Sequence, residues 1–142
     1  MRGDERMAKA IPTDERLLRE IYRRYLGAFS DFSDENKTRN AKIWVPIDIM
    51  ALSRKFRCDE DLIFGRLYYH FNSKFGSHTG EGDKVNFFNI RLGQDRHCVN
   101  FPLLASVLSD LQDERRRFLV STRLAALSLI VSSVSIFLAI YL

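Results

Sequence analysis

The sequence predicts an α+β chain that ends in one membrane-spanning α-helix, and three patterns carry that expectation. Residues 124–142 read LAALSLIVSSVSIFLAIYL, nineteen residues without a charge, a glycine or a proline. Upstream, several segments place apolar residues at helical spacing, each preceded by a capping residue. Between them, two strand-like segments flank Gly93-Gln94-Asp95-Arg96, a hairpin signal. The expected organisation is a flexible N-terminus (1–12), a cytosolic domain (13–114), a basic juxtamembrane segment (115–123) and a transmembrane helix (124–142).

The elements follow in order. Pro12-Thr13 before Asp14-Glu15 opens a helix, with acids where the helix dipole favours them. Leu17, Leu18, Ile21, Tyr22, Tyr25 and Phe29 form its apolar side, and Arg16, Arg19, Arg23 and Arg24 the opposite arc. That arc suits anionic lipid head groups, although Glu20 dilutes it and solvation is the better expectation. Residues 30–41 form a polar connector, and KIWVPI (42–47) reads as a short strand kept at an edge by Pro46. Asp48 caps a helix through Phe56. After a tight turn at Arg57-Cys58, Asp59 caps a longer one that ends at Gly76. Ile63, Phe64, Leu67, Tyr68, Phe71 and Phe75 give this second helix its apolar face.

GSHTGEGD (76–83) reads as a flexible loop. Residues 84–92 and 97–101 read as the two strands of the hairpin. The Phe87-Phe88 pair breaks alternation, so a bulge or burial on both faces is expected there. Pro102 opens the last helix, with Leu103, Leu104, Val107, Leu108 and Leu111 on its apolar face.

The 124–142 run spans roughly 28 Å as a helix, close to the hydrocarbon thickness of a bilayer. Its four serines are tolerable in lipid because each hydroxyl can bond a carbonyl one turn back. Arg115, Arg116 and Arg117 precede the run, and Arg123 can snorkel back from its first turn, which predicts that the arginine side is cytosolic. The start, MRGDERMAKA, carries no apolar signal-peptide core. The expectation is a tail anchor: a single-pass protein with its N-terminal domain in the cytoplasm, in the inner membrane if the source is bacterial. Ser121, Ala125, Ser128, Ser132, Ser135 and Ala139 recur at alternating spacings of four and three, a small-residue stripe suited to helix packing in lipid. It predicts a homodimer or a membrane-protein partner; the plainer account is that serine and alanine are common in such helices.

The layout of helix, short strand, helix, turn, helix, hairpin and helix resembles a winged helix–turn–helix domain. IDIMALSRKFRCDEDLIFGRLYYHF (47–71) carries the resemblance, with Ala51 in the first helix of the pair and Cys58 at the tight turn. The wing is the hairpin at 84–101, and the likeness covers about 90 residues. It is one of layout and apolar pattern. It implies either DNA binding through the second helix and the wing, or use of the same face as a protein-interaction surface.

Charge favours the second. The chain of 142 residues carries +4, with a pI near 9.3. Residues 1–114 nevertheless hold 18 basic and 18 acidic side chains, so the excess is the arginine collar alone. Within 48–101 the balance is eight basic to seven acidic, and the second helix opens with Asp59-Glu60-Asp61, thin for a reader of phosphates. Tyr69, Asn72, Ser73, Arg91 and Arg96 are therefore expected to contact a protein partner. Arg54, Lys55, Arg57 and Arg66 are the phosphate contacts under the DNA-binding alternative.

Composition (46% hydrophobic, 28% charged, two cysteines) excludes a disordered or disulfide-scaffold chain. Cys58, Cys98, His70, His78 and His97 lack metal-ligand spacing. GSHTGEGDK lacks the ending of a phosphate loop, and no nucleophile motif occurs. The expectation is a non-enzymatic adaptor or sensor with no catalytic residue, metal or cofactor. Its partners are the lipid bilayer and a protein; nucleic acid is the weaker alternative.

Overall fold

Side-chain caps start the first three helices. Thr13 Oγ1 accepts from the Arg16 N–H at 3.4 Å, Asp48 from Ala51 at 2.9 Å, and Asp59 from Asp61 at 2.9 Å. They open α1 (Asp14–Ser30), α2 (Ile49–Phe56) and α3 (Glu60–Gly65) in a computed structural model describing residues 11–78 and 82–142, the His78 side chain excepted. Most of the expected flexible N-terminus lies outside the described residues. Arg57, at φ 54°, closes α2 in the left-handed conformation and lets Cys58 begin the tight turn.

The chain divides into two units, Met1–Leu108 and Ser109–Leu142. In the first, β1 (Trp44–Pro46), β4 (Phe88–Leu92) and β5 (Asp95–Asn100) form an antiparallel sheet in the order β1-β5-β4. Val45 faces Val99 in one pairing, and Phe88 faces Val99 in the other. Pro46 thus sits on an edge strand, as its missing N–H requires.

The expected strand at 84–92 is split. Lys84–Val85 (β3) pairs instead with Ser77–His78 (β2), so part of the stretch read as a loop is a two-stranded ribbon; residues 79–81 lie outside the description. Between β3 and β4, Phe87 and Phe88 are both fully buried. This is the two-sided burial that their adjacency implied. The hairpin turn is tighter than expected, with Leu92 opposite Asp95 across Gly93-Gln94. Gly93 is left-handed at φ 61°, and the Asn40 amide occupies the space a Cβ would need. The final helix, α5 (Phe101–Tyr141), takes over at Phe101 rather than Pro102.

The expected single helix after Cys58 has a wider middle. Between α3 and α4 (Asn72–Phe75), residues Arg66–Phe71 wind as a π-helix. The cause is legible in the core. Ile63, Leu67 and Phe71 are each fully buried and stand four residues apart. In an α-helix a step of four drifts by about 40° around the axis. The wider π turns oppose that drift and keep one row against the core. Leu17, Leu18 and Ile21 of α1 and Leu52 of α2 are likewise without exposure. Phe101 of α5 is sandwiched by Tyr22 and Phe29, at ring-centroid distances of 5.5 and 4.8 Å.

A second row, Arg66, His70 and Lys74, faces one carboxylate. Asp14 pairs with Arg66, with His70 Nε2 at 3.2 Å and with Lys74 Nζ at 2.9 Å. This joins the start of α1 to the π segment and places Arg66 in an inter-helical ion pair, not on the outward phosphate-binding face expected for it. Sequence alone could not show the partner, which is 52 residues away.

Burial pushes the Asp14 carboxyl up, but the hydrogen bonds from Lys74, Arg66 and His70 outweigh it and hold the pKa below its ordinary value of 3.8. The folded state therefore binds the proton more weakly than the unfolded chain. Asp14 adds stability above the ordinary carboxylate range, and this is lost as pH falls through the lowered value. Asp14→Asn should cost about 1–3 kcal/mol at pH 7 in urea unfolding. The difference from the native chain should shrink as acid protonates the native carboxyl.

Candidate functional site

Asn72 builds the site. Its Oδ1 accepts from the backbone N–H groups of Phe87 (2.9 Å) and Phe88 (2.8 Å), and its Nδ2 donates to the Phe88 carbonyl at 2.9 Å. The side-chain amide therefore stands beside β4 where another strand's backbone would be. Asn40 does the same at the far end, donating through Nδ2 to the Leu92 carbonyl at 2.8 Å. Its own N–H donates to Asp95 at 2.9 Å. The two asparagines thus bond the backbone at the two ends of β4. Gly76 lets the chain leave α4 here, because a Cβ would collide with the Asn72 carbonyl.

Anchoring the helix to the strand in this way leaves a groove of about 710 Å3 over the join. Tyr68, Tyr69 and Ser73 line the helical wall; Lys84, Asn86, Asn89, Ile90 and Arg91 line the strand wall. Tyr69 is 69% exposed and Ile90 43%. Tyr68 is held from behind by Phe64, whose ring stacks at 5.5 Å. Asn86 Nδ2 donates to Asn89 Oδ1 at 3.1 Å, and Arg91 Nε to the Gly93 carbonyl at 3.1 Å. Two cations and no acidic side chain line this groove among the described residues. Its chemistry is recognition: aromatic and aliphatic surface beside amides and positive charge.

Four of the five expected partner-contact residues meet here, namely Tyr69, Asn72, Ser73 and Arg91. Asn72 is set apart from the other three, since its amide is committed to the Phe87 and Phe88 backbone. Arg96 lies elsewhere. It borders a second groove of about 530 Å3 with Asp48, Met50, Glu60, Asp61, Phe64 and His97. His97 adopts a left-handed φ of 54° within β5, and its ring contacts those of both Phe64 and Phe88. Sequence reading missed Lys84, Ile90, Asn86 and Asn89 as groove residues. Lys84, Asn86 and Ile90 share one alternation of the chain, which was the available signal for those three; Asn89 falls outside it.

The basic residues before the turn, Arg54, Lys55 and Arg57, are all exposed. Arg54 Nη2 lies 3.0 Å from Met50 Sδ, Lys55 is exposed in the last turn of α2, and Arg57 is the left-handed cap. On α1, the arginine arc is partly neutralised. Arg19 pairs with Glu15, and Arg23 and Arg24 reach Glu20 at 3.0 and 2.9 Å.

The helix from Phe101 to Tyr141, whose residues from Ser109 onward belong to the second unit, contains a stretch of mean hydropathy 2.3, none of it buried, long and apolar enough to cross a membrane. Ser128, Ser132, Ser133 and Ser135 bond the carbonyls four residues back at 2.8–3.0 Å, as expected. Thr122 does the same to Phe118 at 2.9 Å. The stripe that includes Ser121, Ala125 and Ala139 is exposed. In the collar, Arg117 pairs with Asp113 at 3.1 Å, and Arg115, Arg116 and Arg123 are exposed.

No family model, curated protein or solved structure matches this chain.

Both cysteines are free, Cys98 buried and Cys58 half-buried. Burial, reinforced by Asp95, pushes the Cys98 thiol up to about 11, although Arg39 opposes it. Burial and Asp59 also raise Cys58. At pH 8, 5,5′-dithiobis-(2-nitrobenzoate) should modify Cys58 first and leave Cys98 unmodified until the protein is denatured. Asn72→Ala should cost about 2–3 kcal/mol in urea unfolding, because it deletes three hydrogen bonds at a partly buried join.

Proposed function

We propose that this chain is a membrane-anchored protein-interaction module. The apolar part of α5 crosses a bilayer, and the arginine collar lies on its cytoplasmic side. A winged-helix-like domain offers the Tyr69–Arg91 groove to a protein partner. The observation that carries the reading is the groove itself: exposed tyrosine and isoleucine beside two cations, on a chain whose C-terminal helix exposes a long, uncharged and mostly apolar surface. An apolar surface of that extent is costly in water and satisfied in lipid.

The winged-helix assignment draws support from the α2–turn–α3 pair followed by the β4–β5 hairpin. Protein recognition is favoured over DNA because α3 opens with three acids and Arg66 is taken by Asp14. Arg54, Lys55 and Arg57 supply too few phosphate contacts for a duplex.

The test places a photo-crosslinking amino acid at Tyr69, and separately at Lys55, in the full chain in native membranes. A discrete protein adduct from position 69 only is expected, with the chain retained in the membrane pellet at pH 11. Equal labelling from both positions, or release by alkali, would overturn the reading.

A further inference from the structure

The second groove and its surroundings offer the chemistry that the first one lacks. At the start of α3, Glu60, Asp61 and Leu62 are all exposed, Leu62 by 46%. Among the described residues, neither the Glu60 nor the Asp61 carboxylate takes part in an ion pair. Across the domain, Lys84 and the guanidinium tip of Arg91 likewise carry no ion pair, and Ile90 and Tyr69 are exposed beside them. One surface is acidic with an aliphatic residue; the other is basic with an aliphatic and an aromatic residue.

From this complementarity, and resting on the interaction-module reading, we infer that the partner in the Tyr69–Arg91 groove is a second copy of this chain, docked through its α3 tip. Glu60 and Asp61 meet Lys84 and Arg91, and Leu62 covers Ile90 and the Tyr69 ring. The tip and the groove share no residue. A copy can therefore give its tip to one neighbour and receive the tip of another, a heterologous contact. Arg96 borders the acidic surface and limits which way the tip can approach. Anchoring in one bilayer would raise the effective concentration of copies, so a contact weak in solution suffices there.

Charge exchange tests the pairing, with the full chain in detergent micelles and its association measured by sedimentation equilibrium. Arg91→Glu and Asp61→Arg should each weaken self-association at least about tenfold. Both changes in one chain should restore it, and raising NaCl from about 50 to 500 mM should weaken the native contact. Both positions are exposed, and circular dichroism checks that each variant is folded. An equal mixture of the two single variants should also recover association, because each tip then meets a groove of opposite charge on the other variant.

Native-like association of either folded single variant would overturn the inference, as would failure of the folded double variant to recover. So would association that persists in both singles and disappears with Ser128→Leu, which would assign it to the apolar helix. If these fail while Tyr69 still crosslinks a different protein in membranes, the module reading stands and only self-pairing falls. Without any Tyr69 adduct, the module reading falls as well.

Discussion

The Asn72 amide is the constraint on which the recognition surface depends. A single side chain takes two backbone N–H groups and one carbonyl from Phe87 and Phe88. Backbone groups at a sheet edge near the core must find partners, and here a helix supplies them. The consequence is geometric. Helix and edge strand are held at a fixed separation, wide enough for a groove and too close for another strand to add at Phe88. The two phenylalanines it straddles are wholly buried, so polar pairing and apolar packing reinforce each other at one point.

That arrangement needs Asn72 to emerge from its helix facing β4, and the π segment sets the angle. The rows Ile63-Leu67-Phe71 and Arg66-His70-Lys74 both run at strict spacing of four. One satisfies the core, the other satisfies Asp14, and widening of the helix serves both. Asp14 itself begins α1, whose buried face holds the opposite side of the core. The charge cluster therefore ties the chain's first described helix to the wall of the groove. Tyr68 and Tyr69, carried on the π segment, owe their presentation to the same winding.

Charge on this molecule is divided by location, and the division gives the proposed function its logic. The arginines of α1 are largely balanced by Glu15 and Glu20 within their own helix. Those of the collar stand next to the apolar segment of α5. Among the described residues, Lys84 and Arg91 on one surface and Glu60 and Asp61 on another carry no ion pair. A net charge summed over the whole chain hides all three of these arrangements.

The sequence by itself determined the elements that depend on local chemistry. Thr13, Asp48 and Asp59 announced helix starts, Pro46 an edge strand, and the uncharged run at 124–142 a helix that could cross a bilayer. Each follows from what one residue or one short period permits its own backbone. Even the π segment left a trace, since 63, 67, 71 and 75 step by four where an α-helix would alternate three and four. Tertiary structure alone decided which side chains pair across distance. Arg66 reads as an outward cation until Asp14 is folded against it, and Asn72 as a contact residue until β4 arrives beside it. Residues 84–92 read as one strand until β3 finds β2. In each case the competing interactions are of similar strength, a few kcal/mol at most. Only the three-dimensional positions of the partners, 6 to 60 residues away, select among them.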